Sequence, residues 1–291
     1  ADPQVTSLWR WSGQHLTDEQ NREVVGRTRA VLRRWAIAIR HERPDLTERE
    51  STYLAGAILS VTGSISSRSL RIDRSVAETT LRQLIQRVLQ LKPGDAELLP
   101  PPPNTTLGAP TRRDEILDAA ARLFAEHGFA GTGMDDIGAA VGITGPSVYK
   151  HFPAKEAILL AIGQRSALRL EASAMAVAAT TGDPRAQLDM LVNSYVQSLS
   201  GAPDLRVSFE SGYVLAGNPQ AAELIASQRR YVARWLELLR YLDPELGEQA
   251  ASLTAHSALA VVNDAVRMPR STPRPEFEAR MAYLMKGVLH G

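Results

Sequence analysis

The chain contains no cysteine, few aromatic residues and almost no net charge. Without thiols it forms neither disulfides nor thiolate metal sites, which suits a cytoplasmic protein. It also has no run of eighteen apolar residues, so we expect no membrane-spanning helix. Its net charge of +1 excludes a polycation that coats nucleic acid without discrimination. The 291 residues are 44% hydrophobic, which is enough for two cores of ordinary domain size.

Residues 111–157 contain the most informative pattern in the chain. Apolar residues recur at helical spacing over 116–124, and a shorter apolar stripe follows over 134–141. Gly142 breaks that stripe, since glycine adopts positive φ at little cost. Thr144 is a good N-cap for a third helix that starts at the next residue. Two helices joined by so short a turn predict a helix-turn-helix, whose second helix enters the major groove of DNA.

This stretch resembles the N-terminal domain of the TetR/AcrR family of transcriptional regulators. The resemblance implies a mostly helical chain, a separate ligand-binding core, and repression that a small effector relieves. Gly133 is a departure, because most members have a serine or threonine there that caps the second helix and contacts a phosphate. The matching residues are Thr132, Asp136, Ile137, Gly142, Ile143, Thr144, Tyr149, Lys150, His151, Phe152, Lys155, Glu156 and Ala157.

By this resemblance, the DNA contacts fall on the third helix and its flanks. Ser147 can hydrogen-bond several bases, and Pro146 offers an apolar edge to a thymine methyl group. Such small residues imply modest discrimination per base pair, so DNA shape contributes to specificity. Gly145 lies with Pro146 and Ser147 at the helix end that would enter the major groove, whereas Tyr149, Lys150, His151 and Lys155 would contact phosphates. The phosphate contact missing at Gly133 would have to come from Thr132 or from backbone N–H groups. Two alternatives stay open, because Tyr149 can be a packing residue and His151 can cap the helix C-terminus. The predicted DNA-binding residues are Thr132, Gly133, Thr144, Gly145, Pro146, Ser147, Tyr149, Lys150, His151 and Lys155.

The chain also contains a long internal repeat. Residues 3–89 align with 203–289 without a gap, and eighteen of the 87 positions are identical, roughly three times the number that composition alone gives. Trp35 and Trp235 anchor the alignment, because tryptophan is rare in this chain. A repeat of this length indicates duplicated domains rather than a solenoid. With the stretches GPSVYKHFPAKEAIL over 145–159 and APDL over 202–205, the chain also resembles tandem TetR regulators of the type that represses mycobacterial mammalian-cell-entry (lipid uptake) operons.

The predicted fold class is all-α, with one helix-turn-helix domain and two TetR-type ligand-binding cores, the first of them incomplete. The predicted domains are the rear half of a first core over 1–91, a proline-rich linker over 92–110, the helix-turn-helix domain over 111–157 and a second core over 158–291. The predicted core helices are 17–42, 47–67 and 74–91 in the first copy, and 155–179, 184–200, 219–242, 247–267 and 275–289 in the second. Capping boxes are predicted at the start of the first two helices, from Thr17 to Gln20 and from Thr47 to Glu50, and Arg43-Pro44 closes the first helix.

The first core lacks the helices that should cover one of its apolar faces, and half a core should not be stable alone. We therefore expect the natural protein to carry about 90–115 more residues upstream, with another helix-turn-helix. A natural gene product whose intact mass matches 291 residues would reject this expectation.

Two helices of each copy correspond to the pair that TetR-type proteins use for their dimer interface. These are 47–67 and 74–91 in the first copy, and 247–267 and 275–289 in the second. Both sets are rich in small residues, which predict a close approach of helices. We expect the two copies to form a pseudo-dimer within one chain, whose operator need not be a palindrome.

The effector site is expected among the helices of residues 155–267, where the composition suits an apolar or amphipathic ligand. Most of these apolar residues equally suit an ordinary bundle core. A further cavity is conceivable in the first copy near Trp9, Trp11 and Trp35. The predicted ligand-binding residues are Leu191, Tyr195, Arg206, Glu210, Tyr213, Trp235 and Asn263.

Two other classes of protein are alternatives to a DNA-binding regulator. The six histidines are scattered, and no zinc-protease, dinucleotide-binding, Walker or nucleophile-elbow motif occurs, so we expect no enzyme, catalytic residue, metal or cofactor. The second alternative is a helical ligand-binding or scaffolding protein that does not bind DNA. It draws support from Gly133 and from the charge of residues 111–157, which contain five Lys/Arg against seven Asp/Glu.

Overall fold

The computed structural model describes residues 18–65, 72–101, 111–210, 212–215, 218–268 and 272–290. Within these ranges the chain forms twelve α-helices and no strand, which confirms the all-α prediction. The short helix Pro203–Glu210 was not predicted from the sequence. The helices are α1 Asp18–Glu42, α2 Glu48–Ser64, α3 Arg74–Gln90, α4 Arg112–His127, α5 Met134–Ala140, α6 Gly145–Tyr149, α7 Lys155–Thr180, α8 Pro184–Gly201, α9 Pro203–Glu210, α10 Ala222–Leu242, α11 Glu248–Ala265 and α12 Arg274–His290.

The helices of the two sequence repeats keep the same register. Helices α2 and α11 begin at equivalent positions two hundred residues apart, and so do α3 and α12. The first turns of α3 and α12 carry the same ion pair, with Nε–Oε1 distances of 2.7 Å for Arg74–Glu78 and 2.6 Å for Arg274–Glu278. The predicted capping box at Thr47 is present, whereas the one predicted at Thr17 lies outside the described residues, as do Trp9 and Trp11.

The described chain divides into two compact units. The first contains residues 18–100, 181–196 and 234–290, and the second contains 111–180 and 197–233. The division falls within helices α8 and α10 and does not follow the predicted domain boundaries, which stay a prediction.

Helices of both repeats pack together in the first unit. Helix α2 packs against α1, α3 and α11, while α12 packs against α11 and α3. The small residues at this junction are buried, as at Ala55 and its counterpart Ala255, which have no exposed surface. Close contact of helix backbones follows from such small side chains and increases the number of van der Waals contacts.

The first part of the predicted linker belongs to the first unit. Pro93–Asp95 forms a 3₁₀ turn that packs against α2 and α12. The backbone N–H of Gly94 donates to Oε1 of Glu50 at 2.9 Å, and Pro93 is buried. The bond to Glu50 was not predicted, because its partners are 44 residues apart in sequence. Residues 102–110 lie outside the described part.

The second unit is built around one apolar core, in which α5 packs on α4 and α6, while α7 packs on α4 and α9. Phe124, Ile137, Val148 and Phe152 are nearly or fully buried there. No helix within the described residues is long and apolar enough to cross a bilayer.

Candidate nucleic-acid interface

A tight turn sets the crossing of α5 and α6. Gly142 has φ +70°, the left-handed conformation that the sequence predicted for this turn. A Cβ atom on Gly138 would lie only 2.8 Å from the carbonyl oxygen of Ile143, so the turn passes directly over the end of α5. The N–H of Ile143 closes the turn by donating to the carbonyl of Gly138 at 2.9 Å. This pair of helices therefore has the geometry of a helix-turn-helix.

Helix α6 turns a polar face outward and an apolar face inward. Val148 is fully buried, whereas Pro146 and Lys150 are exposed and Tyr149 is 54% exposed. The ammonium of Lys150 has no ion-pair partner among the described residues. Such an exposed cation and phenol beside a helix can contact a phosphate backbone.

The start of α6 differs in part from the prediction. Thr144 occupies the N-cap, but its hydroxyl lies 3.0 Å from that of Ser147 and accepts no helix N–H. Gly145 is buried, because α6 begins against Asp135 of α5. Of the three predicted reading positions, only Pro146 and the half-buried Ser147 reach the surface.

The predicted phosphate contact of Thr132 is not supported by its position. Its side chain is buried, and its hydroxyl donates to the carbonyl of Gly128 at 3.0 Å. The N–H of Gly133 donates to Oδ2 of Asp136 at 2.7 Å, which caps α5. Both groups therefore bind polar atoms at helix termini of the protein, and the phosphate contact at positions 132 and 133 stays a prediction.

Lys155, in the first turn of α7, connects that helix to the chain between α4 and α5. Its ammonium donates to the carbonyls of Phe129 at 2.6 Å and Thr132 at 2.7 Å, and lies 4.4 Å from the centroid of the Phe129 ring. Two of its three N–H bonds are therefore used inside the protein. The predicted phosphate contact would have to come from the third.

Arg113 was missed by sequence reasoning. Its Nη1 donates to the carbonyl of His151 at 2.7 Å, and its guanidinium lies 3.9 Å from the centroid of the Phe152 ring. Arg113 thereby anchors the backbone just after α6. The side chain of His151 itself is half-buried. A cation in the first turn of a helix opposes the helix dipole. The unfavourable position of Arg113 in the first turn of α4 was therefore the one sign in the sequence that this arginine has a specific partner.

Charged residues connect α4, α7 and α9 within the second unit. Arg165 of α7 pairs with Asp204 of α9 at 2.8 and 2.9 Å, and its Nη1 lies 2.8 Å from Oδ1 of Asp118 on α4. Arg169 also reaches Asp204, at 2.9 Å. Burial works to lower the pKa of Arg165, but its hydrogen bonds and the charges of both aspartates outweigh that effect and raise the pKa. The link was not predicted, because its members are distant in sequence.

Several predicted ligand-binding residues meet in the first unit. The hydroxyl of Tyr195 donates to Oδ1 of Asn263 at 2.9 Å, and its ring lies edge-on to that of Trp235 with centroids 6.0 Å apart. Burial raises the pKa of Tyr195 above its usual value and outweighs the bond to Asn263, so the phenol stays a donor. Leu191 is buried on the same helix.

The remaining predicted ligand-binding residues are not part of this group. Arg206 lies in the second unit and is half-buried, while the side chains of Glu210 and Tyr213 lie outside the described part. Asn193, on α8, was not predicted, yet its buried amide oxygen accepts no hydrogen bond from the described residues. Within the same ranges, no three histidine, aspartate or glutamate side chains gather as a metal site.

Residues 116–162 match the family described as bacterial regulatory proteins, tetR family. The KstR2 repressor of Rhodococcus jostii is 36% identical over 105 residues, which cover 36% of this chain and 52% of KstR2. The chain thus spans about half the length of that relative. The uncharacterised helix-turn-helix regulator Rv1255c of Mycobacterium tuberculosis is 30% identical over 140 residues, 47% of this chain and 68% of that protein.

Solved structures show the same fold at low identity. KstR2 of Mycobacterium tuberculosis superposes with a TM-score of 0.55 at 22% identity, covering 62% of this chain and 95% of KstR2. AibR in complex with isovaleryl coenzyme A and operator DNA gives a TM-score of 0.54 at 22% identity, covering 62% of this chain and 98% of AibR. The chain therefore belongs to the TetR family of DNA-binding transcriptional regulators.

Proposed function

We propose that this protein is a repressor that binds operator DNA in the cytoplasm through α6. The observation that carries the proposal is the outward face of α6, where Pro146, Tyr149 and Lys150 are exposed beside a glycine turn. Pro146 and Ser147 would read base edges, and Lys150 and Tyr149 would contact phosphates. AibR, which shares the fold, was crystallised with operator DNA.

The proposed effector is an apolar or amphipathic small molecule. Leu191, Tyr195, Trp235 and Asn263 would contribute an apolar wall with one polar anchor. Helix α9 packs on both α4 and α7, and Arg165 joins all three helices. A shift of α9 would therefore move α4 of the DNA-binding helices. The partial likeness to AibR, crystallised with isovaleryl coenzyme A, makes acyl groups reasonable first candidates.

The two sequence copies would act as an intrachain pseudo-dimer. This proposal is supported by the packing of α2 on α11 and of α3 on α12, since these helices occupy equivalent positions in the repeat. Two contacts at this junction are also nearly reciprocal, as in a two-fold interface, because Arg49 is the counterpart of Gln249 and Thr272 directly precedes the counterpart of Asp73. The N–H of Asp73 donates to Oε1 of Gln249 at 2.8 Å, and Nη2 of Arg49 donates to Oγ1 of Thr272 at 2.8 Å.

DNA binding is tested by fluorescence anisotropy with labelled DNA from upstream of the gene, over a range of salt concentrations. Affinity should fall steeply with salt, because phosphate contacts release counterions. Lys150→Ala should weaken binding to all sequences and reduce the salt slope by about 1. Lys92→Ala removes an exposed lysine from the first unit and should change nothing. A DNA affinity that changes neither with salt concentration nor with Lys150→Ala would favour the alternative of a ligand-binding or scaffolding protein that does not bind DNA.

Repression and pseudo-dimer formation need separate measurements. A reporter behind the bound DNA distinguishes repression from activation, which matters because the related FasR of Mycolicibacterium smegmatis, 28% identical over 165 residues, is an activator. Light scattering should give a mass near 31.7 kDa for the isolated chain. An obligate homodimer at twice that mass would contradict the intrachain pairing.

A further inference from the structure

The first unit contains a groove of about 800 Å³ that lies between helices α1 and α2 on one side and α11 and α12 on the other. Its floor is apolar and buried, and is formed by Ala36, Ala57, Val261, Phe277 and Met281. A volume of this size is typical of sites that enclose a small organic molecule. Because the lining comes from both sequence copies, the groove exists only where the two copies meet.

Arginines dominate the rim of the groove. Arg29, Arg33 and Arg40 follow one another along one exposed face of α1, over about 16 Å of helix, and Arg49 of α2 stands opposite. The three arginines of α1 have no ion-pair partner in the described part of the chain.

The acidic groups at the rim do not balance these arginines. Only Glu48 and Asp264 contribute carboxylates, and Asp264 already lies 3.5 Å from Nη1 of Arg267. The rim is therefore positively charged above an apolar floor. Such a combination is complementary to a molecule that has an anionic head and an apolar body.

The groove is separate from the group around Tyr195. None of Leu191, Tyr195, Trp235 and Asn263 lines it, and neither does Trp35, the counterpart of Trp235 in the repeat. Gly56 faces the groove, and its counterpart in the second copy is His256. A Cβ atom on Gly56 would meet nothing within 4 Å, so the missing side chain leaves real space.

We infer that this groove binds an amphipathic anion, with the apolar body on the floor and a carboxylate or phosphate head at the arginines of α1. Burial of the apolar body would provide most of the affinity. Charge-assisted hydrogen bonds from guanidinium groups would select the anionic head over a neutral one. This site goes beyond the proposed function, because it lies at the junction of the two copies and not beside the Tyr195 group.

The test is isothermal titration calorimetry with dodecanoate and dodecyl phosphate below their critical micelle concentrations, and with dodecanol below its solubility limit. At least one of the two anions should bind about tenfold more tightly than dodecanol. Gly56→Leu should reduce that binding at least about tenfold by filling the groove. Gly26→Leu is the matched control, because Gly26 is also helical, also meets nothing within 4 Å and does not line the groove. Arg33→Ala should weaken the anion but not dodecanol.

Thermal unfolding monitored by circular dichroism shows whether the Gly56→Leu variant remains folded. If that variant does not fold, the effect of Arg33→Ala on anion binding tests the inference independently. The inference is overturned if neither anion binds, if dodecanol binds as tightly, or if Gly56→Leu leaves binding unchanged. It is also overturned if light scattering shows a larger species that Gly56→Leu disperses, since the groove would then be an interface between copies of this chain. DNA binding is measured separately, so failure here leaves the proposed function standing.

Discussion

The hydroxyl groups of Ser64 and Ser257 lie 2.8 Å apart where α2 of the first copy meets α11 of the second. Both residues are buried, and Ser64 also lies within hydrogen-bonding distance of the carbonyl of Val61 at 2.7 Å. A buried hydroxyl is costly unless it is paired, so this contact fixes how the two helices meet. The contact is a direct link between the repeated segments.

We expect Ser64→Ala and Ser257→Ala to lower the free energy of unfolding by about 1–2 kcal/mol each, because each leaves a buried partner hydroxyl with fewer bonds. The double variant should cost less than the sum of the two, as neighbouring residues couple. Urea denaturation of all four proteins measures the coupling. Strictly additive effects would show that the two hydroxyls do not interact in solution.

The ion pair between Arg165 and Asp204 should contribute strongly to the stability of the second unit. Asp204→Ala leaves a largely buried guanidinium with reduced compensation, so we expect a loss of about 2–4 kcal/mol in urea denaturation. Asp118→Ala serves as the control, because the side chain of Asp118 is 52% exposed and such pairs contribute about 1 kcal/mol or less. Equal effects of the two substitutions would refute this ranking.

The turn between α5 and α6 should tolerate little change. Gly142→Ala forces a side chain into positive φ and should cost about 1–2 kcal/mol. Gly138→Ala places a methyl group against the carbonyl of Ile143, so α6 should shift and DNA affinity should fall more than stability. Gly182→Ala is the control, since its methyl group meets nothing within 4 Å. Anisotropy and thermal unfolding are measured together. Unchanged DNA affinity in Gly138→Ala would contradict the close crossing.

Lys155→Met separates an internal role of this lysine from a phosphate contact. The methionine keeps the length of the side chain but loses the bonds to Phe129 and Thr132, so we expect a loss of about 2 kcal/mol in the free energy of unfolding. The salt slope of DNA binding should stay unchanged, whereas Lys150→Ala should reduce it. A reduced slope with unchanged stability would instead support the original prediction of a phosphate contact.

Glu50 should make the first unit sensitive to acid. Burial works to raise the pKa of its carboxyl, but hydrogen bonds from Thr47 and Gly94 outweigh that effect and hold the pKa below its ordinary value of 4.5. A depressed carboxyl pKa stabilises the fold above pH 4.5, and this contribution is lost as the pH falls through the folded-state value. Urea denaturation between pH 7 and about pH 3 should show the decline.

Glu50→Gln should flatten that decline, because the amide does not titrate in this range. Glu48→Gln, at the neighbouring exposed position, is the matched control and should retain the decline. An unchanged pH profile in Glu50→Gln would show that other carboxylates cause the acid sensitivity.

Local signals in the sequence predicted most of the helices. The break at Pro44 follows the end of α1, the capping residue Thr47 begins α2, and the apolar spacing over 116–124 identifies α4. Gly142 was predicted at positive φ because no other residue adopts that conformation as readily. These signals act over a few residues, so they can be read without knowing the fold.

Partners that are distant in sequence could not be predicted in the same way. The phosphate contacts of Lys155 and of Thr132 or backbone N–H groups near Gly133 stay predictions, but the sequence did not predict that the side chains of Thr132 and Lys155 also donate to carbonyl groups of the protein. The position of a polar side chain depends on which backbone groups the packed helices leave unpaired. That distribution becomes known only when the helices are assembled.

The sequence by itself determined the helical class, the helix-turn-helix with its glycine turn, and the repeat whose copies place Arg74–Glu78 and Arg274–Glu278 in the same register. Tertiary structure alone decided the pairing of Ser64 with Ser257, the link from Asp118 through Arg165 to Asp204, and the groove beside Gly56. The first set depends on backbone preference and periodicity along the chain. The second depends on packing between distant segments, which no short-range pattern encodes.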